Sequence, residues 1–416
     1  MRTPTRTRLR RACVSGAAAA LLVVPTVAGS AYAAPAPPRS AATDPPPSPD
    51  AGTDFPRLTP AVAARLDAAV RGAMRKTGTP GVIVGLWAPG KGSYVRAFGV
   101  ADEATRAPMD PGLLMRIGSE TKTFTVTALL RLVDRGKAGL DDVIGRYVKG
   151  VPNGDRITLR ELAGMRSGLF NYSEDDDFNR VLDTEPREPL APQQLLDYSF
   201  AHPVQFAPGA RFAYSNTNLI LLGLVVEKIT GRPLHDVIAD DVLAPAGLHR
   251  TLFPTGAEFP DPHAHGYTEQ STPSGTTEGV VDATGWNPSW SWAAGAMISD
   301  LRDLRSWART LATGALLTPA TQAERLKTTP TGIPGAGYGL GIFDVQGWIG
   351  HNGSIPGYES LTVHLPQAGA TLVVLLNTDV PHAGKEPTAF FGEALTAIAT
   401  PAHVYPGHPP SVPKSG

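Results

Sequence analysis

The 416-residue chain contains one cysteine, Cys13. That excludes an internal disulfide and any zinc site built from several cysteines. Neither sign of charge is in excess, with 37 Lys and Arg against 38 Asp and Glu, so no bulk field points to nucleic acid or to an anionic membrane. The sequence has no G-x-S-x-G, which argues against an α/β-hydrolase nucleophile elbow, and no H-E-x-x-H, which argues against a zincin. Beyond the N-terminal region no apolar run reaches the roughly 18 residues that a membrane span needs. What remains is a globular composition, 42% hydrophobic and 18% charged, on a chain long enough to bury a large core in one or two domains.

The pronounced apolar run lies at the start. "MRTPTRTRLRRACVSGAAAALLVVPTVAGSAYAA" is arginine-rich, then apolar, then ends on the small-residue pattern Ala31-Tyr32-Ala33. This is the layout of a secretory signal peptide over residues 1–33, cleaved after Ala33 or Ala34. The mature protein is then expected to be secreted, detached from the membrane and free of cysteine. Arg10-Arg11 is compatible with twin-arginine export. Residues 34–54, with "PAPPRSAATDPPPSP", read as a proline-rich linker with no means of packing a core. A domain is expected over 55–400, followed by a disordered tail over 401–416.

Within that domain, "LTPAVAARLDAAVRGAMRKTG" predicts a helix capped by Thr59, opened by Pro60 and stopped by Gly78. "GVIVGLW" and "SYVRAFGVAD" predict strands joined by a Pro89–Gly92 turn, and a helix is predicted from Ser119 to Gly136. Residues from about 135 to 295 mix helical pieces with Pro- and Gly-rich loops. Thereafter "GYGLGIFDV", "WIGHNG", "ESLTVHLP" and "ATLVVLLNT" predict strands, and "KEPTAFFGEALTAIA" a closing helix. Strands at both chain ends and helices between them predict an α+β fold, an antiparallel sheet with a helical insertion.

Three short patterns carry chemistry. In Ser119-Glu120-Thr121-Lys122 the helical spacing of three places the Lys122 amine one turn from the Ser119 hydroxyl, at a helix end whose free N–H groups favour a developing oxyanion. The competing reading is a capping serine and a solvated lysine, and Ser411-Val412-Pro413-Lys414 matches the pattern with a proline that opposes any helix. Tyr214-Ser215-Asn216 precedes an apolar helix, and the competing reading has Ser215 or Thr217 simply capping it. Its chemical reading has Tyr214 shuttling a proton beside Lys122, with Asn216 bonded to lysine and substrate; a tyrosine base would need a cation to favour its phenolate. His351-Asn352-Gly353 reads either as a turn or as a cavity edge, at which Gly353 admits a substrate backbone, His351 and Asn352 face the substrate, and the next N–H completes an oxyanion site.

With these patterns in this order, the chain resembles the serine β-lactamase and penicillin-binding superfamily, and within it secreted D-alanyl-D-alanine carboxypeptidases. The likeness runs from about Leu58 to Ala399 and includes "RIGSETKTFT", "LRLVDRGKAGLDD", "RITLRELAGMRSGL", "PGARFAYSNTNLILLGLVVEKITG" and "GYGLGI". It implies a β-lactamase/DD-peptidase-like fold, a sheet flanked by helices beside an all-helical subdomain. It implies that Ser119 is acylated, that Lys122 and Tyr214 handle its proton, that Asn216 orders the cluster, and that the N–H groups of Ser119 and Ser354 hold the oxyanion. Trp290 aligns with a cleft-wall aromatic, and Phe178 is a weaker candidate for the same wall. The implied substrate is a small peptide or a β-lactam, handled by a monomer without cofactor or metal. Class C β-lactamases, serine esterases and D-aminopeptidases share the layout, and a penicillin-binding module without turnover is a further alternative.

Two departures bear on the substrate. After "GYGLG" the carboxypeptidase pattern carries a basic cluster with a carboxylate-binding arginine, where this chain has Ile342-Phe343-Asp344. The middle of the third triplet is Asn352, where threonine is usual. For metal chemistry the sequence offers only the His263/His265 pair and the acidic run Glu174–Asp177, both in loops that suit a solvated role as well.

Overall fold

Ala370–Leu376, "ATLVVLL", is apolar or β-branched at every position and buried at every position. A strand of this kind has no solvent face, so the sheet that contains it must be covered on both sides. The computed structural model describes residues 55–271 and 277–406, all within the unit Asp50–Gly416. The expected signal segment, the linker up to residue 54 and the second S-x-x-K match at Ser411–Lys414 lie outside the described residues.

Eight strands form the main sheet: β1 (Gly81–Ala88), β2 (Gly92–Gly99), β3 (Thr329–Pro330), β4 (Ala336–Tyr338), β5 (Phe343–Val345), β6 (Trp348–Ile355), β7 (Tyr358–Leu365) and β8 (Ala370–Leu376). Their order is β2-β1-β8-β7-β6-β5-β4-β3, with every pairing antiparallel. The two strands from the front of the chain thus join the six from its back through the β1–β8 pair, which sets Val84 opposite Val374. Residues 135–295 supply short helices and the apolar helix Asn216–Thr230 (α3). They also supply a two-stranded hairpin, Tyr267–Ser271 with Thr277–Asp282, that helical periodicity in this stretch did not predict.

Strand alternation sorts the two faces of the sheet. Leu361 of β7 meets Gly392 of the closing helix, Pro387–Ala399 (α5), where a Cβ would lie 3.1 Å from the leucine side chain. On this outer face α5 packs beside the first helix, Pro60–Thr77 (α1). Thr59 caps α1 by accepting from the Val62 N–H, and Gly78 ends it at φ 72°, a left-handed conformation that glycine adopts without strain. The neighbouring residues Ser360, Thr362 and His364 point to the other face, against the helix Thr121–Asp134 (α2) and the helix Leu301–Thr313 (α4). There Trp307 of α4 stacks on Phe124 of α2 at 4.1 Å and donates from its indole N–H to Thr123 Oγ1 at 2.8 Å.

The tail departs from expectation. Residues 403–406 are held against the domain: His403 offers its carbonyl to the Trp348 indole at 2.8 Å, and the Tyr405 N–H donates to Thr396 Oγ1 of α5 at 2.8 Å. Tyr405 is 2% exposed. An aromatic that finds an apolar seat on α5 outweighs the loop-forming prolines around it, so the domain runs past residue 400. Truncating this anchor, Tyr405→Ala, should destabilise the protein by about 3 kcal/mol in a denaturant titration. An unchanged midpoint would show that the tail does not dock.

Candidate active site

The site is built where β6 crosses the entrance to α2, and two glycines permit that crossing. Gly118 has φ +48°, and a Cβ there would lie 2.7 Å from the Ser354 nitrogen. A Cβ on Gly353 would lie 2.0 Å from the Ile117 carbonyl oxygen. Any larger residue at either position would push β6 off the turn Gly118–Glu120 that carries Ser119. The sequence reading gave Gly353 to the substrate backbone. The backbone it admits belongs to Ile117.

Ser119 is 8% exposed and opens the helical turn whose first N–H groups have no intrahelical partner. Half-buried Ser354, one residue past the triplet, brings its backbone against Gly118. The two N–H groups assigned to the oxyanion therefore come from adjacent pieces of chain.

Lys122 is fully buried at the start of α2, and its Nζ lies 2.8 Å from both Ser119 Oγ and the Ala294 carbonyl oxygen. It also sits 4.9 Å from the centre of the Tyr214 ring. Among the described residues no carboxylate pairs with it, and burial pushes its pKa well below the lysine range. Nζ donates to the Ala294 carbonyl and to Ser119 Oγ; burial favours loss of its proton, and the same short contact would then let its lone pair take the Ser119 proton, the arrangement of a base in contact with its nucleophile.

Ala294 belongs to the turn Trp292–Gly295, which is fastened to α2 by the Thr125 hydroxyl donating to Ala293 O at 2.8 Å and by the Met297 N–H donating to Thr121 Oγ1 at 3.0 Å. Sequence reasoning missed this contact, because a carbonyl leaves no trace in residue type.

Tyr214 is half-buried, while its hydroxyl is enclosed and has no hydrogen-bond partner among the described residues. Burial raises its pKa far above the ordinary value, and the nearby Ser119 side chain pulls weakly in the other direction. That pull and the missing bond agree if the hydroxyl stands close to Ser119 but outside bonding geometry, which is how we read it. Burial thus favours the phenol form of Tyr214, which can donate a proton, and the neutral form of Lys122, the candidate base.

His351 lies on the same side of β6. Its ring centre is 6.3 Å from that of Tyr214 and 4.8 Å from that of Phe343. Its Nδ1 sits 2.5 Å from the Asn352 carbonyl, which can only accept, so Nδ1 carries a proton. Its Nε2 is 3.3 Å from the Tyr338 hydroxyl. Tyr338, within "GYGLGI", is a site residue that sequence reasoning passed over.

Several expected residues stand elsewhere. Asn352 is the next residue after His351 on a strand, so its side chain leaves through the opposite face, where its amide donates to Glu386 Oε2 at 3.0 Å. Asn216 donates from its side chain to Ser173 Oγ at 3.0 Å, and its backbone N–H bonds Asn171 Oδ1 at 2.9 Å; no bond to Lys122 forms among the described residues. Its place in the first turn of α3 turns it toward the Asn171–Ser173 loop. Phe178, 1% exposed, packs edge-on against Tyr172 at 5.2 Å and is core of the helical layer, not cleft wall. Trp290, half-buried, rests on Phe178 at 5.9 Å and accepts the Tyr172 hydroxyl on its carbonyl at 2.7 Å. Lys76-Thr77-Gly78 also matches a basic third triplet, but it closes α1 in the outer helix layer. The weighed metal candidates have other partners: His265 pairs with Asp282 at 2.7 Å, and His263 stacks on Phe259 at 4.5 Å.

A buried hydroxyl in contact with a buried amine, beside an enclosed phenol and paired backbone donors, is an arrangement suited to acyl transfer by a serine hydrolase. Comparison with known proteins agrees. The Beta-lactamase family model matches residues 66–394, and the chain belongs to that family, within the serine β-lactamase and penicillin-binding superfamily. Among solved structures it is similar to a D-stereospecific amidohydrolase from Streptomyces sp., with 33% identity, a TM-score of 0.68, and 77% of this chain and 94% of that one covered. It is also similar to D-amino acid amidase from Ochrobactrum anthropi SV3, with 30% identity, a TM-score of 0.67 and 77% and 92% covered. D-aminopeptidase of Brucella anthropi is 28% identical over 329 residues, 75% of this chain and 59% of that protein. Across eight of the curated relatives it matches, the chain spans 57 to 71% of their length.

One neighbour of the site generates a prediction. Glu120 is fully buried between Ser119 and Lys122 in sequence. Burial raises its carboxyl to about 8, with the Ser360 and Thr362 hydroxyls pulling weakly the other way. Neither hydroxyl reaches hydrogen-bond geometry with it, so we take desolvation as the controlling effect. The folded state therefore holds a proton that the unfolded chain releases near 4.5, and stability falls as pH rises from there to about 8. Glu120→Gln should remove that loss, making the variant more stable than the parent at pH 8 than at pH 5 by on the order of 3 kcal/mol in urea unfolding. Parallel pH dependences of the two proteins would contradict a buried, protonated Glu120.

Proposed function

We propose that the protein is an exported serine hydrolase, acting as a monomer, that cleaves amide bonds next to D-configured residues in substrates without a free carboxylate at the binding end. The carrying observation is at residues 342–344. Where the carboxypeptidase pattern has its basic cluster, Ile342 is fully buried and Phe343 packs its ring 4.8 Å from His351. A carboxylate taken into the cleft would lose the charged hydrogen bond, worth roughly 1.5–3 kcal/mol, that makes its desolvation tolerable. Likeness to the amidohydrolase and the amidase supports the D-configured amide, and the N-terminal sequence supports export.

In this reading Lys122 takes the Ser119 proton as Oγ attacks the carbonyl. The Ser119 and Ser354 N–H groups receive the oxyanion, and Tyr214 passes a proton to the leaving amine while Lys122 restores it. Water then resolves the acyl-enzyme with the proton movements reversed. A D-alanyl-D-alanine carboxypeptidase, the second reading, uses the same steps and is supported by the motif order and the extended resemblance. It needs a cation for the terminal carboxylate.

The test compares D-alanine amide, L-alanine amide, an acyl-D-Ala-D-Ala peptide and the same peptide amidated at its C-terminus. Faster turnover of the D-amide than of the L-amide is expected, with the amidated peptide cleaved at least as fast as the free acid. A preference of more than about tenfold for the free acid, about 1.4 kcal/mol in transition-state binding, would overturn the proposal in favour of the carboxypeptidase. In parallel, a fluorescent penicillin should label the parent protein covalently and leave Ser119→Ala unlabelled. Undiminished labelling of that variant would place the nucleophile elsewhere.

A further inference from the structure

Asn352 replaces the usual threonine of the third triplet and faces away from the cleft, which raises the question of what it does there. Its amide donates to Glu386 Oε2 at 3.0 Å, and Glu386 is 6% exposed at the residue that opens α5. The same helix entrance grips the sheet a second time. The Thr388 N–H donates to Glu359 Oε2 at 2.8 Å, and Glu359 is the residue paired directly across from Ser354 in the β6–β7 ladder.

The strand that supplies the Ser354 N–H is thus tied to one helix end on its own side chain at Asn352 and through the cross-strand partner of Ser354. On the cleft side the Asn352 carbonyl holds the His351 ring, and Gly353 abuts Ile117. A cavity of about 10 Å³, lined by Asn352, Leu361, Glu386, Thr388, Ala389 and Tyr405, sits beside the contact. Burial, together with the nearby Glu386, raises the Glu359 carboxyl well above its ordinary range.

We propose that Glu386 is a positioning residue for acylation: through Asn352 it sets the height at which β6 presents His351 and the Ser354 N–H to Ser119. The inference rests on the serine-hydrolase reading above. A displaced oxyanion donor weakens transition-state binding more than ground-state binding, so the loss belongs in kcat and not in KM.

The test uses the full chain and hydrolysis of p-nitrophenyl acetate, with Ser119→Ala as the control that must abolish the reaction. Retained hydrolysis in that control would sink the functional reading by itself, whatever Glu386 does. Glu386→Ala should lower kcat by about tenfold or more with KM within about twofold. Glu386→Gln keeps an acceptor for the Asn352 amide and should stay within about threefold of the parent. Asn352→Ala should reproduce the kcat loss, and the double variant Asn352→Ala/Glu386→Ala should be no slower than the slower single one. Should Glu386→Ala fail to fold, Asn352→Ala reads the same contact from the strand side. Parental kcat in either alanine variant, measured below its unfolding transition, would overturn the proposal even if its melting temperature had dropped, as would single losses that multiply in the double variant.

Discussion

Everything chemical in this protein depends on burying the Lys122 amine without a counter-charge. An ammonium taken from water into a site with no carboxylate partner is unstable by several kcal/mol, and the group escapes that cost by losing its proton. Its partners among the described residues carry no formal charge: the Ala294 carbonyl, the Ser119 hydroxyl and the face of Tyr214. Desolvation that would count against stability elsewhere here lowers the lysine toward a usable base. It also divides the labour, because the same burial that favours the neutral lysine favours the protonated tyrosine.

The second constraint is steric. The nucleophile turn and the oxyanion strand meet backbone to backbone, and Gly118 and Gly353 are the positions where that contact leaves no room for a side chain. The rest of the fold holds those two pieces of chain together from behind. On the cleft side α2 and α4 lock through Phe124 and Trp307, and on the outer side the entrance of α5 ties to Asn352 and Glu359. The antiparallel sheet, closed by the pairing of the first and last long strands, is the rigid plate between these layers.

Much of this was legible in the sequence, for identifiable reasons. The spacing in Ser119–Lys122 forces proximity once the segment is helical, and the apolar run of β8 announces a two-sided core. Thr59, Pro60 and Gly78 mark the limits of α1 because capping is local chemistry. What was not legible depended on strand parity and on backbone atoms. Asn352 and His351 are neighbours in sequence but exit on opposite faces of β6, and no pattern shows which residue of the pair turns inward until the strand is in register. Phe178 looked like a cleft aromatic because burial is a property of the assembled helices. The Ala294 carbonyl and the packed Tyr405 left no signal, the first because every residue has a carbonyl, the second because its prolines speak for a loop.

The central claim is the charge state of one amine. Nuclear magnetic resonance of the Lys122 side chain, assigned by comparison with Lys122→Arg and followed through a pH titration of the folded protein, reads it directly. The account predicts that Nζ is neutral at the pH of catalysis and takes up its proton well below the ordinary lysine range. A Lys122 that titrates near the usual value of about 10.4 would contradict it.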